Sequence, residues 1–496
     1  MLDHDETAVF ARASTPSWQT RIRRWAARRA RQLLTAVLIV TVILVLAVCA
    51  VVLRRATCLI GLPDVGDPYD VAAFRGLRVP EDQDALVLFR QAAGKVPPLP
   101  DMPMAARRAG ATVAWSQADP GLRAWLEANR QALGLFQQGA LREDGTSPAL
   151  SDPFRSSLHG MSLDRLVWLA FLDASRLEEQ GDMPAAWDGY RAILRMKAHI
   201  IRRGTVFDRY FVDLYCRGLE PRLAAWAANP KTEVSMIRRA LDDVRANEPK
   251  PEWDAFSLKL EYLQMKTMLD RPDGWVKQGV DEDLTIRVGG EPLPPNLAAS
   301  VYLARRYLDN EPERSLRVLR LAFANWLAHV QEQDQASRQP AARASFTLQK
   351  RTTQLSFYAL GQNGASFAKA LPPKDLGRWL ITTRDAKLLL FQWPWPAIHI
   401  SEQRAYRALV ILLAEELYRR ERGSAPPSEE ALVGTYLDHL PDDGSSELDD
   451  GTAARIDDST APAAKPEQSI SSANLPVALR LFRAVASRKS PQSRAL

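Results

Sequence analysis

Two kinds of hydrophobic pattern divide this chain. From Leu33 to Leu53 an uncharged run of 21 residues, rich in Leu, Val and Ile, has no polar face at all. Behind it the apolar positions recur every three or four residues, the signature of amphipathic helices. At about 1.5 Å per residue the first run spans about 31 Å as a helix, which matches the hydrocarbon core of a bilayer. Only a helix or a closed barrel satisfies its backbone in lipid, so its β-branched residues are no objection. A removable signal has an apolar region of about 7–15 residues ending in small residues. This run is longer, follows a leader at residues 1–32, and stops against Arg54 and Arg55. A lipoprotein processing site at Cys49 would need a small residue where Val48 stands. The pattern therefore predicts an uncleaved transmembrane helix over 33–53.

The rest of the chain reads as mainly α. Residues 54–80 form a stalk, extended where Pro and Gly punctuate GLPDVGDPYDVAAFRGLRVP. A body at 81–440 follows, with helices predicted at Asp82–Ala93 and Gly121–Gln138 on either side of a Pro-rich break at Pro97–Pro103. In SLDRLVWLAFLDASRLEEQGDMPAAWDGYRAILRMKAHI, Ser162 is the expected N-cap and Leu166, Leu169, Ala170 and Leu177 the apolar face. Gly181 and Asp182 turn the chain, Pro184 fits a first helical turn, and Ala186, Tyr190, Ile193 and Leu194 return. A second hairpin, YLARRYLDNEPERSLRVLRLAFANWL, turns at Asp309–Pro312. Between the two, RPDGWVKQGVDEDLTIRVGGEPLPP breaks the body near 271–295, with a short strand expected at Leu284–Val288, and Gln335–Ser356 is more polar. The Trp393–Pro394 and Trp395–Pro396 pairs of FQWPWPAIHI are incompatible with helix interior. Ser401 is the expected cap of a helix running to Arg422, with Gly423 just past its end and a shorter helix from Ser428. Pro441–Asn474 holds Asp, Ser, Gly, Ala and Pro with few large apolar residues, so this acidic segment is expected to be disordered. Residues 475–496 end the chain with a short helix at Leu475–Val485 and a tail.

Charge orients the anchor. Arg21, Arg23, Arg24, Arg28, Arg29 and Arg31 precede the span, whereas Arg54 and Arg55 are the main cations after it. The positive-inside rule then places the N-terminus in the cytoplasm and the body on the far, periplasmic side of a cell inner membrane, as a single-pass protein. Trp18, Ile22 and Trp25 recur at helical spacing, suggesting an interfacial turn or two on the anionic leaflet. Topology explains these arginines, and no nucleic-acid partner is expected. The formal charge of +6 resides in the leader and in Arg54 and Arg55, which leaves the body near neutral. Three cysteines are too few for a disulfide framework; Cys58 and Cys216 could pair, but unpaired core thiols are the preferred reading.

Two resemblances follow from these residues. The GD turn and Ala/Tyr/Leu spacing of the Ser162 hairpin are similar to a tetratricopeptide unit, which implies stacking of a solenoid-like kind. The turns at Gly181 and Asp309 share no 34-residue period, so no repeats are counted. ALVILLAEELYRRERGSAPPSEEALVGTYLDHLP, from Ala408, resembles the closing element of uncharacterised single-pass bacterial envelope proteins and of pseudopilin-like proteins. That likeness implies a helical extracytoplasmic body on one N-terminal span. The residues before Leu33 contain no prepilin-peptidase site.

Chemical motifs are sparse. DDGSSELDDG, with Asp442, Asp443, Glu447, Asp449 and Asp450, lacks the ligand spacing of a calcium loop and reads as a solvated tail. Ser366 and Lys369 form an isolated S-x-x-K; Ser472 and Asn474 give an S-x-N, but no K-T-G follows. GLFQQGAL, from Gly134, lacks the lysine of a phosphate loop. His4, His159, His199, His329, His399 and His439 are widely spaced, which does not favour a metal site. Glu178/Glu179 and Glu415/Glu416 are adjacent on helices and so face apart. Trp393 and Trp395 are read as packing residues, with sugar or peptide stacking as the alternative. No catalytic, cofactor-binding or metal-ligating set is assigned, and no cofactor is expected. The expectation is a membrane-anchored protein with a binding or scaffolding role, its partners the lipid bilayer and another protein. The alternative is a peptidoglycan-active envelope enzyme with Ser366 and Lys369 as first suspects.

Overall fold

A computed structural model describes residues 18–62, 64–98, 115–152, 162–270, 287–288, 291–292, 304, 307–331, 342–348, 351–357 and 395–442. The chain is mainly helical and divides into two compact units, Met1–Pro63 with Gly279–Arg314 and Asp64–Gln278 with Ser315–Leu496.

The first unit is dominated by α1, Trp18–Thr57, one helix of 40 residues. Sequence patterning suggested interfacial turns followed by a span; the two are instead continuous, because no Pro or Gly interrupts Trp18–Thr57. Among the described residues this is the one helix long and apolar enough to cross a membrane, with a mean hydropathy of 3.4 and none of its apolar window buried. The two threonines of its apolar run, Thr35 and Thr41, cause no polar defect. The Thr35 and Thr41 hydroxyls donate to the carbonyls of Arg31 and Val37, each at 2.9 Å. A two-residue strand, Arg287–Val288 (β1), pairs antiparallel with Glu291–Pro292 (β2), covering only the end of the strand expected at Leu284–Val288.

The second unit begins where a stalk was expected. Asp70 caps a short helix, α2 (Val71–Arg75), by accepting from the Ala73 N–H. Tyr69 and Phe74 pack on Phe256, Leu260 and Leu263, so this stretch is folded against the body. Apolar Tyr, Val and Phe between the prolines supply the contact that composition alone concealed.

Helices α3 (Ala85–Lys95), α4 (Pro120–Ala128) and α5 (Arg130–Ala140) follow. The single helix expected at Gly121–Gln138 is broken at Asn129, whose buried side-chain amide donates to the Trp125 carbonyl at 2.7 Å. Gly139 lets α5 approach α3 closely, since a Cβ there would lie 2.8 Å from the Phe89 ring. The predicted αα-hairpin is α6 (Leu163–Gln180) and α7 (Met183–Arg203). Gly181 takes the left-handed φ of +83° that closes α6, and Asp182 caps α7 by accepting from Ala185. Ser162 differs from expectation: it adopts φ of +56° and makes no side-chain cap.

Then come α8 (Val206–Cys216), α9 (Leu219–Ala228), α10 (Val234–Arg245) and α11 (Pro251–Asp270). Helix α12 (Glu311–Gln331) follows the turn predicted at Asp309, while most of that hairpin's first arm lies outside the described residues. Strands β3 (Ala342–Leu348) and β4 (Arg351–Phe357) form an antiparallel hairpin in the polar region. Last is α13, Trp395–Arg422. It starts six residues before Ser401, because Pro396 falls in the first turn, where its missing N–H costs nothing. The core joins Leu166, Tyr190, Ile193 and Trp226 from the middle of the chain to Val410, Leu413 and Leu417 of α13. A short 3₁₀ turn, Glu429–Leu432, stands where the helix from Ser428 was expected. The disordered segment and terminal helix predicted beyond Asp442 lie outside the described residues.

Candidate functional site

A charged cluster lies inside the second unit, built from the early turns of three helices. Thr205 and Asp208 form a reciprocal capping box that starts α8 and fixes the position of Arg209. Asp254 and Ser257 stand three residues apart on α11, and His399 and Glu402 three apart on α13, so each pair shares a helical face. Arg209, Asp254, His399 and Glu402 are all buried.

The Arg209 guanidinium grips the Glu402 carboxylate with two N–H groups, its Nε at 2.9 Å from Oε1 and its Nη2 on Oε2. Its Nη1 meets Asp254 Oδ1 at 2.5 Å. His399 Nδ1 lies 2.7 Å from Asp254 Oδ2. Ser257 accepts from Arg209 at 3.4 Å and donates to the Gly204 carbonyl at 2.9 Å. Burial raises the Asp254 carboxyl, but Arg209 and His399 outweigh it and hold the group at about 2. Burial also pushes Glu402 up, and Arg209 only partly offsets that.

Asp254, His399 and Glu402 offer ligand atoms within 4.8 Å of one another, a donor set that suits a divalent metal by residue type. The guanidinium already holds both carboxylates, and a second cation beside it would meet like charge. The chemistry the arrangement supports is an internal ion cluster tying α8, α11 and α13 together. Beside it Lys197 pairs with Asp213 at 2.8 Å, and Ser401 donates to the same carboxylate at 3.2 Å. Ser401, expected as a cap, is therefore a tether between α13 and α8. Cys216 is a buried free thiol whose pKa burial pushes up to about 12, which leaves it a poor nucleophile. Cys49 and Cys58 are also free, so the pairing of Cys58 with Cys216 is not formed.

A second feature is open to solvent. A cleft of about 310 Å³ lies between α10 and α13, lined by Asp242, Arg245, Glu248, Tyr406, Leu437 and His439 among others. Its rim is held by charge. Arg245 pairs with Asp438, Arg407 reaches Glu429 and the Pro441 carbonyl, and the Tyr436 hydroxyl donates to Glu421 at 2.9 Å. Burial and the neighbouring Glu248 push Tyr406 up to about 12, so it stays a neutral donor. Polar groups of both signs with an apolar floor at Val410 and Leu437 suit a peptide segment better than a small apolar ligand.

The structure separates the residues that stood close in sequence. Glu178 accepts from the Tyr190 hydroxyl at 2.6 Å, whereas Glu179 accepts from the Ser116 N–H at 2.7 Å. Glu416 is buried and paired with Arg419 and Arg420, while Glu415 points elsewhere on the helix. Gly134 lies within α5, so no phosphate loop exists there. His199 is buried against the Arg142 carbonyl and His439 lines the cleft. Ser366, Lys369, Trp393, Ser472, Asn474 and the acidic residues from Asp443 onward lie outside the described residues. Sequence reading missed the Arg209 cluster because its members are distant in the chain. The available signal was polar pairs at i,i+3 on otherwise apolar helices.

No protein-family model, no curated protein and no solved structure matches the chain.

Proposed function

We propose that this is a single-pass membrane protein whose helical body binds a protein partner across the membrane from its N-terminus. One observation carries the reading: α1 presents an uninterrupted apolar surface of which nothing is buried, joined to a folded helical unit. Exposing such a surface to water is unfavourable at about 25 cal/mol per Å², so lipid is its natural solvent. The arginine asymmetry supports a cytoplasmic N-terminus and a periplasmic body. The cleft beside Tyr406 supports the binding role, with a peptide segment of a partner protein as its ligand.

Two paired measurements test this. Alkaline phosphatase fused after Leu440 is active and a cytoplasmic fluorescent reporter at the same point is dark; the reverse result defeats the orientation. A photo-crosslinking residue placed at Glu248 gives one discrete protein adduct, lost in the Asp242→Arg variant. Adducts indifferent to that change would defeat the cleft as the binding site.

A further inference from the structure

We infer that the turn Tyr307–Asn310 is a second membrane contact, held in the headgroup layer at the exit of the span by Arg54 and Arg55. The inference rests on the reading of α1 as a bilayer span. It adds a lipid-facing surface formed by chain about 250 residues further on.

Arg54 immediately follows the last residue of the apolar run. Its Nη2 donates to Asp309 Oδ1 at 2.7 Å. Arg55 donates to the Tyr307 carbonyl at 2.6 Å and to Asn310 Oδ1 at 2.9 Å. The Asn310 amide donates back to the Arg55 carbonyl at 3.4 Å. The Arg55 guanidinium also lies 4.0 Å from the centre of the Tyr307 ring. Asn310 adopts φ of +47°, a left-handed conformation that Asn tolerates better than most residues. The turn is thus shaped to receive both arginines at once, and all these residues belong to one compact unit.

Position identifies the partner. Arg54 and Arg55 lie about 1.5 and 3 Å beyond the hydrocarbon edge, inside an interfacial layer about 5–7 Å deep on each side. An aromatic ring with a polar tip is at home at that depth, and Tyr307 remains 59% exposed despite its stacking. Ile60, five residues past Arg55 in the chain, is 67% exposed in the same unit. Asp309 compensates Arg54, so this end of the helix carries less net positive charge than the sequence suggests. The surface fits the headgroup layer: the arginines spend their N–H groups on holding the turn at that depth, and the turn presents the exposed Tyr307 ring to the glycerol region.

The test uses the full chain in lipid nanodiscs, carrying Cys58→Ser, with buried Cys216 left unmodified. An environment-sensitive probe is placed on native Cys49 in one sample. In the other it is placed on Pro312→Cys, an exposed site beside the turn, with Cys49→Ser. Lipids spin-labelled on the acyl chain should quench the Cys49 probe. Lipids spin-labelled on the headgroup should quench the position-312 probe, several-fold more than in the Arg54→Ala/Arg55→Ala variant. Quenching at Cys49 with none at 312, or quenching at 312 indifferent to the arginines, overturns this inference and leaves the span intact. No quenching at either site overturns the span reading and this inference with it.

Discussion

Helices α1 and α13 are both long and both contain runs of Leu, Val and Ile, yet they face opposite environments. Leu44 of α1 is 60% exposed, whereas Leu413 of α13 is fully buried. The difference is written in what interrupts each run. Nothing charged falls between Leu33 and Leu53, so this part of α1 has no polar face to give to water. In α13 Glu402, Arg407, Glu416 and Arg420 recur among the apolar residues and each finds a protein partner. The contrast shows that hydropathy sets how apolar a helix is, while charge spacing sets whether it packs into the protein or leaves its apolar surface uncovered.

The severest way to break the contrast is to leave α13 with an unpaired buried charge. Arg209→Met strands Glu402, leaves Asp254 with His399 alone, and should cost about 3–5 kcal/mol in chemical denaturation of the body. Arg209→Met combined with Glu402→Leu should recover part of that loss. Membrane partitioning of the chain should be the same in all three proteins.

An identical change in each helix sharpens the comparison. Leu413→Ala should destabilise the body by about 2–5 kcal/mol through lost burial and a cavity. Leu44→Ala should leave the body's unfolding unchanged and weaken insertion by only about 0.5 kcal/mol. A large loss of body stability from Leu44→Ala would mean that α1 packs on protein after all.

Acid should also act on the body alone. Burial, then Arg202, lower the His199 pKa to about 4, and its Nε2 sits 3.1 Å from the Arg142 carbonyl. The unfolded chain takes up this proton near the ordinary value of 6.5 and the folded chain does not. The stability is therefore complete above about 6.5 and is lost as pH falls toward 4, a drop of about 3 kcal/mol at most. His199→Gln should flatten that part of the stability–pH curve. An unchanged acid slope in this variant would mean that His199 does not set the acid sensitivity of the body.

A smaller loss of body stability than these is expected at the helix end. Arg420 donates to the Ala227 and Asn229 carbonyls, both at 2.8 Å, and so closes α9 from α13. Arg420→Ala should cost about 1–2 kcal/mol, measured as a modest shift in the denaturation midpoint.

How far the sequence could be read follows the same physics. The long apolar helix, the Gly181–Asp182 hairpin turn and the end of α13 were legible because each rests on neighbours in the chain: length, a left-handed glycine, a cap. The folded stretch at Tyr69–Phe74 was not, because its partners Phe256, Leu260 and Leu263 lie far along the chain. The break at Asn129 was hidden too, since an uninterrupted apolar period ran through it. The Arg209 cluster joins residues 209, 254, 399 and 402, and no local spacing announces a salt bridge of that reach. The cleft was equally silent, being set by the meeting of α10 and α13 with the chain around Leu437.

We propose that α1 holds the folded body in a bilayer by an uncleaved span. Alkaline carbonate extraction of membranes carrying the full chain, followed by mass determination of the retained protein, tests it most directly. The protein is expected to stay in the membrane pellet with residues 18–57 still attached. Release into the supernatant, or a mature N-terminus beyond Val52, would contradict it.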